Sequence, residues 1–138
     1  MKRKVLVLCT GNSCRSQMAE ALINDRRGEQ WQAFSAGTRP EKAVNPYALR
    51  VLAEIDIHPD QATPQHLDEY IGQPFDLVIT VCDSAAETCP VWSGQGERIH
   101  IGFPDPAAAT GSEDEILPVY RQVRDGIADQ VLAALDER

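Results

Sequence analysis

The chain has 138 residues, 43% of them apolar and 25% charged, proportions of an ordinary soluble globular domain that exclude collagen-like, coiled-coil and disordered classes. Lysine and arginine number 13 against 21 acidic residues, a net charge of −8. A surface this acidic repels phosphate backbones and anionic lipid, so neither nucleic acid nor membrane is an expected partner. One domain spanning residues 1–138 is expected, and no stretch approaches the ~18 apolar residues of a membrane span. Four cysteines, Cys9, Cys14, Cys82 and Cys89, leave two readings open: a secreted disulfide framework, or thiols kept reduced in the cytoplasm. Lys2-Arg3-Lys4 and Val5-Leu6-Val7-Leu8 imitate an export signal, but four apolar residues fall short of the ~7–15 required. A cytoplasmic protein is therefore expected.

The first element is a strand over Lys4–Leu8, a Val- and Leu-rich run suited to burial on both faces. A helix follows, with Met18 and Leu22 four apart and Arg26-Arg27-Gly28 as its stop. Trp31–Ala36 reads as a second strand closed by Gly37. Asn45-Pro46 supplies an N-cap and a first-turn proline for a helix with Tyr47, Val51 and Ile55 on its apolar stripe. Thr63-Pro64 opens a further short helix with Leu67 and Ile71 on one face, and Leu77–Val81 is a third strand. Cys82–Gly96 is polar and reads as loop, Arg98–Ile101 as a fourth strand, and Pro104-Asp105-Pro106 ends it. The last helix carries Tyr120, Val123, Ile127, Val131 and Leu135 at spacings of three and four. Strands alternating with helices define an α/β domain with a parallel sheet covered on both faces, whose ligands bind beyond the carboxyl ends of the strands.

The first strand runs into Cys9-Thr10-Gly11-Asn12-Ser13-Cys14-Arg15-Ser16 and then a helix. A short loop entering a helix aims backbone N–H groups inward and adds the positive end of the helix dipole, which together fit a tetrahedral oxyanion. Gly11 is read as supplying torsions closed to other residues, and Asn12 as tolerating the left-handed region. The planar fork of Arg15 can hold two oxyanion oxygens. Cys9 points its sulfur at the centre, where the same field favours a reactive thiolate, and Ser16 is placed to donate to it. The bland alternative is a strand-to-helix turn with a buried thiol. Cys14 reads as a packing residue within the loop.

The stretch Val5–Glu20, VLVLCTGNSCRSQMAE, resembles the active-site loop of the low-molecular-weight protein tyrosine phosphatase superfamily, and most of all its arsenate reductase branch. The resemblance implies a four-stranded parallel sheet flanked by helices, with Cys9 as nucleophile and Arg15 as oxyanion ligand. The loop Thr10, Gly11, Asn12, Ser13, Cys14, Arg15 and Ser16 would bind arsenate, with phosphate or sulfate as mimics.

Cys82 ends the third strand and Cys89-Pro90 lies seven residues on. Zinc sites favour tighter cysteine pairs with a matching histidine set, and His58, His66 and His100 show no such spacing, so no metal site is expected. Two buried structural thiols or a redox pair remain open. The stretch Val78–Pro90, VITVCDSAAETCP, resembles thioredoxin-coupled arsenate reductases. That resemblance implies that Cys82 and Cys89 carry a disulfide relay from Cys9, serving arsenic detoxification, with thioredoxin as partner. A monomer is expected, although the sequence does not fix the oligomeric state. Asp105, a turn aspartate by itself, matches the superfamily's general acid. The phosphatase branch commonly places a tyrosine after this Asp-Pro, where this chain has Ala107-Ala108-Ala109. The alternatives are a tyrosine phosphatase, or a mycothiol- or glutaredoxin-coupled reductase. No cofactor is expected to bind tightly. Some relatives hold potassium through an Asn, Glu, Ser and Asp set. Asn12, Glu20 and Ser35 match it, but the Asp position falls near Gln65, so no strong potassium site is expected. The match thins around Ala108–Pro118, where this chain carries extra residues.

Overall fold

The computed structural model describes residues 1–83 and 87–138. Ser84, Ala85 and Ala86, in the middle of the Cys82–Pro90 stretch, lie outside the described residues. Four strands, β1 (Arg3–Cys9), β2 (Trp31–Gly37), β3 (Leu77–Thr80) and β4 (Glu97–His100), form one parallel sheet in the order β2-β1-β3-β4. The α-helices are α1 (Arg15–Arg26), α2 (Pro46–Ala53) and α3 (Glu113–Asp136). All four strands therefore end on one edge. The chain steps from β1 outward to β2 and returns to β3 on the other side. The crevice beyond the ends of β1 and β3 is thus the topological switch point, where such sheets bind ligands.

The period of two along each strand sorts the core into two layers. Val5, Val7 and Cys9 of β1, with Leu77 and Ile79 of β3, face a cluster completed by all three helices through residues such as Met18, Leu52 and Ile127. Leu6, Leu8 and Val78 face the opposite way, onto Leu67, Phe75 and Trp92, with Phe34 and Tyr70 packed alongside. Phe75 stands edge-on to Phe34, Tyr70 and Trp92 at centroid separations of 5.8, 6.0 and 5.9 Å, the arrangement that ring quadrupoles favour. Both faces are covered as the sequence implies, but by unlike layers: helices on one, and on the other an aromatic cluster in which Tyr70, Phe75 and Trp92, outside the strands and α-helices, pack on Phe34 of β2.

Most element boundaries match the sequence reading to one residue. Asn45 caps α2, its Oδ1 accepting from the N–H of Tyr47 at 2.8 Å, with Pro46 in the first turn. Two elements differ. The helix expected from Thr63-Pro64 is a single 3-10 turn, Leu67–Glu69, capped by His66. The reason is long-range. The N–H of Gln65 donates to Asn12 Oδ1 at 2.8 Å, and its carbonyl accepts from the N–H of Gly37 at 2.9 Å. Those bonds hold the chain extended before the turn, and Ile71 is left exposed. The last helix starts seven residues before Tyr120, at Glu113, and takes in Pro118. The Glu115 carboxylate accepts from the N–H of Ser112 at 3.2 Å and fixes this start.

Candidate active site

The loop between β1 and α1 is anchored through its carbonyls. Those of Thr10, Gly11 and Ser13 accept from the N–H groups of Arg39, Glu41 and Asn45 at 3.0, 2.9 and 2.8 Å. The Asn12 carbonyl accepts from Gln17 Nε2 at 3.1 Å, and that of Cys14 from the N–H of Met18 at 2.9 Å. Five successive carbonyls are thereby turned outward. The N–H groups of Gly11, Asn12, Ser13 and Cys14 have no acceptor among the described residues. The N-cap of α1, Cys14, makes no side-chain cap bond, so the positive helix end also stays open. This is an anion receptor built from backbone.

Asn12 is the residue in the left-handed region, at φ 49°, as its side chain tolerates. Gly11 is not, contrary to its expected role. A Cβ on Gly11 would stand 3.2 Å from Glu41 Cγ, so bulk limits that position and torsion does not. Gly37, at the end of β2, carries a constraint the sequence did not reveal. A Cβ there would stand 2.3 Å from the Thr10 carbonyl oxygen, so only glycine lets β2 approach the loop.

Asn12 also reaches Cys9 through Ser16. Its Oδ1 accepts from the N–H of Gln65 and from Gln17 Nε2, which fixes the amide so that Nδ2 donates to Ser16 Oγ at 2.8 Å. With a lone pair so occupied, the Ser16 hydroxyl hydrogen is free to point at Cys9 Sγ, 2.9 Å away. Cys9, Asn12 and Ser16 are all buried. Burial, with the nearby Asp105 and Cys9 charges, pushes the Cys14 thiol far up. Cys14 stays protonated, in keeping with a packing role. Thr10 Oγ1 is buried with no partner among the described residues, a polar atom left for a ligand or water.

Cys9, Thr10, Gly11, Ser13, Cys14 and Arg15 line a cavity of about 260 Å³ with Arg39, Glu41, Glu87, Asp105 and Ala107, room for one tetrahedral oxyanion. Arg15 lies 4% exposed on its floor. Its fork is held by the Phe103 carbonyl at 3.2 Å and by Glu87, at 2.6 Å to Oε1 and 3.2 Å to Oε2. Asp105 Oδ2 stands 3.9 Å from the same guanidinium. Burial by itself would lower the Arg15 pKa, but the Glu87 bond and the Cys9 and Asp105 charges reverse this and raise it. Asp105 caps a 3-10 turn, its Oδ1 accepting from the N–H of Ala107 at 3.0 Å, while its side chain is 40% exposed at the cavity mouth. A group there can reach both a bound anion and solvent. Glu87, absent from the expected set, is thus the closest partner of Arg15; its place within a loop gave no sign of this.

Cys82, fully buried, is joined by a disulfide to the half-exposed Cys89, with 5.7 Å between Cα atoms. Cys9 and Cys14 are free thiols. Cys9 closes β1, and Cys82 leaves the neighbouring β3 at the same edge, since the N–H of Val81 donates to the Leu8 carbonyl at 3.0 Å. Of the expected potassium set, Asn12 Oδ1 is taken by two N–H donors, while Glu20 accepts from Ser35 Oγ at 2.9 Å. Glu20 and Ser35 keep further oxygen lone pairs. Among the described residues no helix is long and apolar enough to cross a membrane.

A free cysteine thiol in a loop of unpaired backbone N–H groups, with an arginine beneath and an aspartate at the mouth, is the set of groups that cysteine-dependent chemistry on tetrahedral oxyanions requires. Residues 4–137 match the low molecular weight phosphotyrosine protein phosphatase family, and the chain belongs to that family. It is similar to an arsenate reductase of Halalkalibacterium halodurans, with 42% identity over 130 residues, 94% of this chain and 93% of the relative. Among solved structures it resembles an arsenate reductase in the phosphate binding state, with 25% identity, TM-score 0.75 and 98% of each chain covered. It also resembles a thioredoxin-dependent arsenate reductase of Corynebacterium glutamicum, with 25% identity and TM-score 0.67 over 99% of this chain and 64% of that one.

Proposed function

We propose that this protein reduces arsenate to arsenite through Cys9, Cys82 and Cys89, and that thioredoxin restores it. The observation that carries this reading is a redox pair, Cys82–Cys89, placed beside an oxyanion cradle whose own thiol, Cys9, is free. A phosphatase needs the cradle and Asp105 but has no use for the pair. Phosphorus in phosphate does not accept electrons from thiols, whereas arsenic(V) accepts two.

The Cys9 thiolate attacks arsenic held by Arg15 and the loop N–H groups, a hydroxide departs, and Asp105 protonates it to water. The Cys82 thiolate then attacks Cys9 Sγ. A Cys9–Cys82 disulfide forms, the sulfur–arsenic bond breaks, and its electron pair leaves with arsenic as arsenite. Cys89 attacks Cys82, which frees Cys9 and leaves the disulfide seen here. A thioredoxin dithiol reduces that disulfide by exchange. The half-exposed Cys89 is the sulfur within reach of a protein reductant, and a structural relative named as thioredoxin-dependent supports that choice over glutaredoxin or mycothiol.

The test is steady-state NADPH oxidation with thioredoxin and its reductase on addition of arsenate, beside nitrophenyl phosphate hydrolysis. Arsenate-dependent turnover that needs thioredoxin supports the proposal. Phosphatase activity without arsenate turnover returns the protein to the phosphatase reading. In Cys89→Ser, one arsenite per chain followed by arrest at a Cys9–Cys82 disulfide is expected. Sustained turnover in that variant would falsify the relay.

A further inference from the structure

The sequence spacing gives no zinc set, because Cys82 and Cys89 stand seven apart and no histidine falls at a matching interval. The sheet supplies one. In the parallel register of β3 with β4, Thr80 pairs with His100, and Cys82 follows Thr80 by two residues. The two sulfurs and a ring nitrogen of His100 lie within 4.8 Å of one another.

We propose that the reduced Cys82–Cys89 pair, with His100, binds one Zn2+. Tetrahedral zinc takes Zn–S bonds of about 2.3 Å and Zn–N bonds of about 2.0 Å, so its ligand atoms stand roughly 3.5–4 Å apart. The three ligand atoms already lie within 4.8 Å of one another, and the two sulfurs must part from bonding distance to reach that geometry. The imidazole is already oriented. Its Nδ1 is 2.7 Å from Thr80 Oγ1. With Nδ1–H donating there, Nε2 carries the lone pair, the arrangement that histidine ligands to zinc require. Space is kept at Nε2 by Gly102, where a Cβ would stand 2.9 Å from that nitrogen and 3.0 Å from the Cys82 carbonyl oxygen. Cys82 is buried, Cys89 half-exposed and His100 exposed, so the ion enters from solvent and water completes the fourth position.

The chemistry balances simply. A trialkylphosphine reduces the disulfide and leaves as its oxide, taking oxygen from water while the water hydrogens become the two thiol protons. Zinc then displaces those protons, and two Zn–S bonds and one Zn–N bond form without further electron transfer. Binding rests on these three side chains alone and needs no arsenate. Its consequence, that zinc halts the relay by occupying two of its sulfurs, rests on the arsenate-reduction reading.

The experiment titrates Zn2+ into the full chain against a chromophoric chelator under argon, the reduced chain in phosphine and the disulfide-linked chain without it. One zinc per reduced chain and none per disulfide-linked chain are expected. His100→Gln should weaken binding by about tenfold or more, and Gly102→Ala, which crowds Nε2 without removing a ligand, should weaken it too. Cys9→Ser should bind as the wild type does. The proposal is overturned by equal zinc affinity in the wild type and both the His100 and Gly102 variants. Loss of zinc from Cys9→Ser with retention in His100→Gln overturns it as well, because the ion would then sit in the oxyanion loop. Circular dichroism of each variant separates weakened binding from loss of the fold.

Discussion

Glu87 and Arg15 form a closed pair inside the oxyanion cavity, with the carboxylate 2.6 Å from one guanidinium nitrogen and held from behind by the N–H of Asp83 at 3.0 Å. The pair satisfies a charge that would otherwise be buried alone. It also puts a planar anion on the residue that the proposed reaction assigns to the oxyanion, and it does so from the segment between the two disulfide-bonded cysteines.

Glu87→Gln should therefore tighten oxyanion binding to the disulfide form. A charge-assisted hydrogen bond contributes about 1.5–3 kcal/mol, so phosphate should bind on the order of 10–100 times more tightly. Calorimetric titration of the oxidised chain reads this directly. In anion-free buffer the same variant should lose stability, because Arg15 is left without its counter-charge, and phosphate should restore it. Unchanged phosphate affinity would show that Glu87 does not compete for the site.

Ser16→Ala should slow alkylation of Cys9 by iodoacetamide about tenfold at neutral pH, since the hydroxyl 2.9 Å from the sulfur is lost. Asn12→Ala should do the same while also lowering the denaturant midpoint, because Gln65, Gln17 and Ser16 lose their shared partner. An alkylation rate in Ser16→Ala equal to that of the wild type would remove the hydroxyl from thiolate stabilisation.

Asp105→Asn should lower the first-turnover rate of arsenate by roughly 10²–10⁴-fold, the usual contribution of a positioned acid. Phosphate affinity should hold or rise, because Asp105 stands only 3.9 Å from Arg15 and repels an anion. A rapid-quench measurement of arsenite release separates the two effects, and an undiminished rate excludes Asp105 as the acid.

Burial raises the Glu20 carboxyl above its ordinary range, with the Ser35 bond only partly opposing this. A raised folded-state value means the folded chain holds its proton more tightly than the unfolded chain. Stability therefore falls as pH rises through the unfolded and then the folded value. Glu20→Gln keeps the hydrogen bond and removes the charge. It should be more stable than the wild type at pH 7, with the difference closing toward pH values below the ordinary carboxylate range of about 4.3. Denaturant midpoints across that range measure it, and a constant difference would sink the argument. A larger wild-type gain in potassium chloride than in tetramethylammonium chloride would register a cation at this carboxylate.

Much of the fold was readable because its signals are local. Val5–Leu8 and Leu77–Val81 are short, Val- and Ile-bearing apolar runs of the kind a doubly covered parallel strand uses, and Asn45-Pro46 is a cap that needs no tertiary help. The extended chain at Thr63–Gln65 was not readable, because Asn12 and Gly37 capture its backbone from 53 and 28 residues away. The same contrast holds in the site. Cys9, Arg15 and Ser16 announce themselves by order along one loop. Glu87 and His100 matter only through the sheet register and the disulfide that bring them beside residues distant in sequence. Gly11 was credited with a torsion that belongs to Asn12, since spacing cannot tell a glycine kept for its backbone from one kept for its size.

The five outward carbonyls between Thr10 and Cys14 have a thermodynamic consequence. Each is tied to a backbone or side-chain donor before any ligand arrives, so the loop has little conformational entropy left to lose. An anion entering it meets a preorganised receptor, and the ordering cost falls on folding and is absent from binding. In the proposed reaction, affinity then depends on fit to a rigid ring of N–H dipoles and on displacing Glu87 from Arg15. Anions of tetrahedral shape are favoured over planar ones of equal charge, even on a chain whose overall charge would turn every anion away.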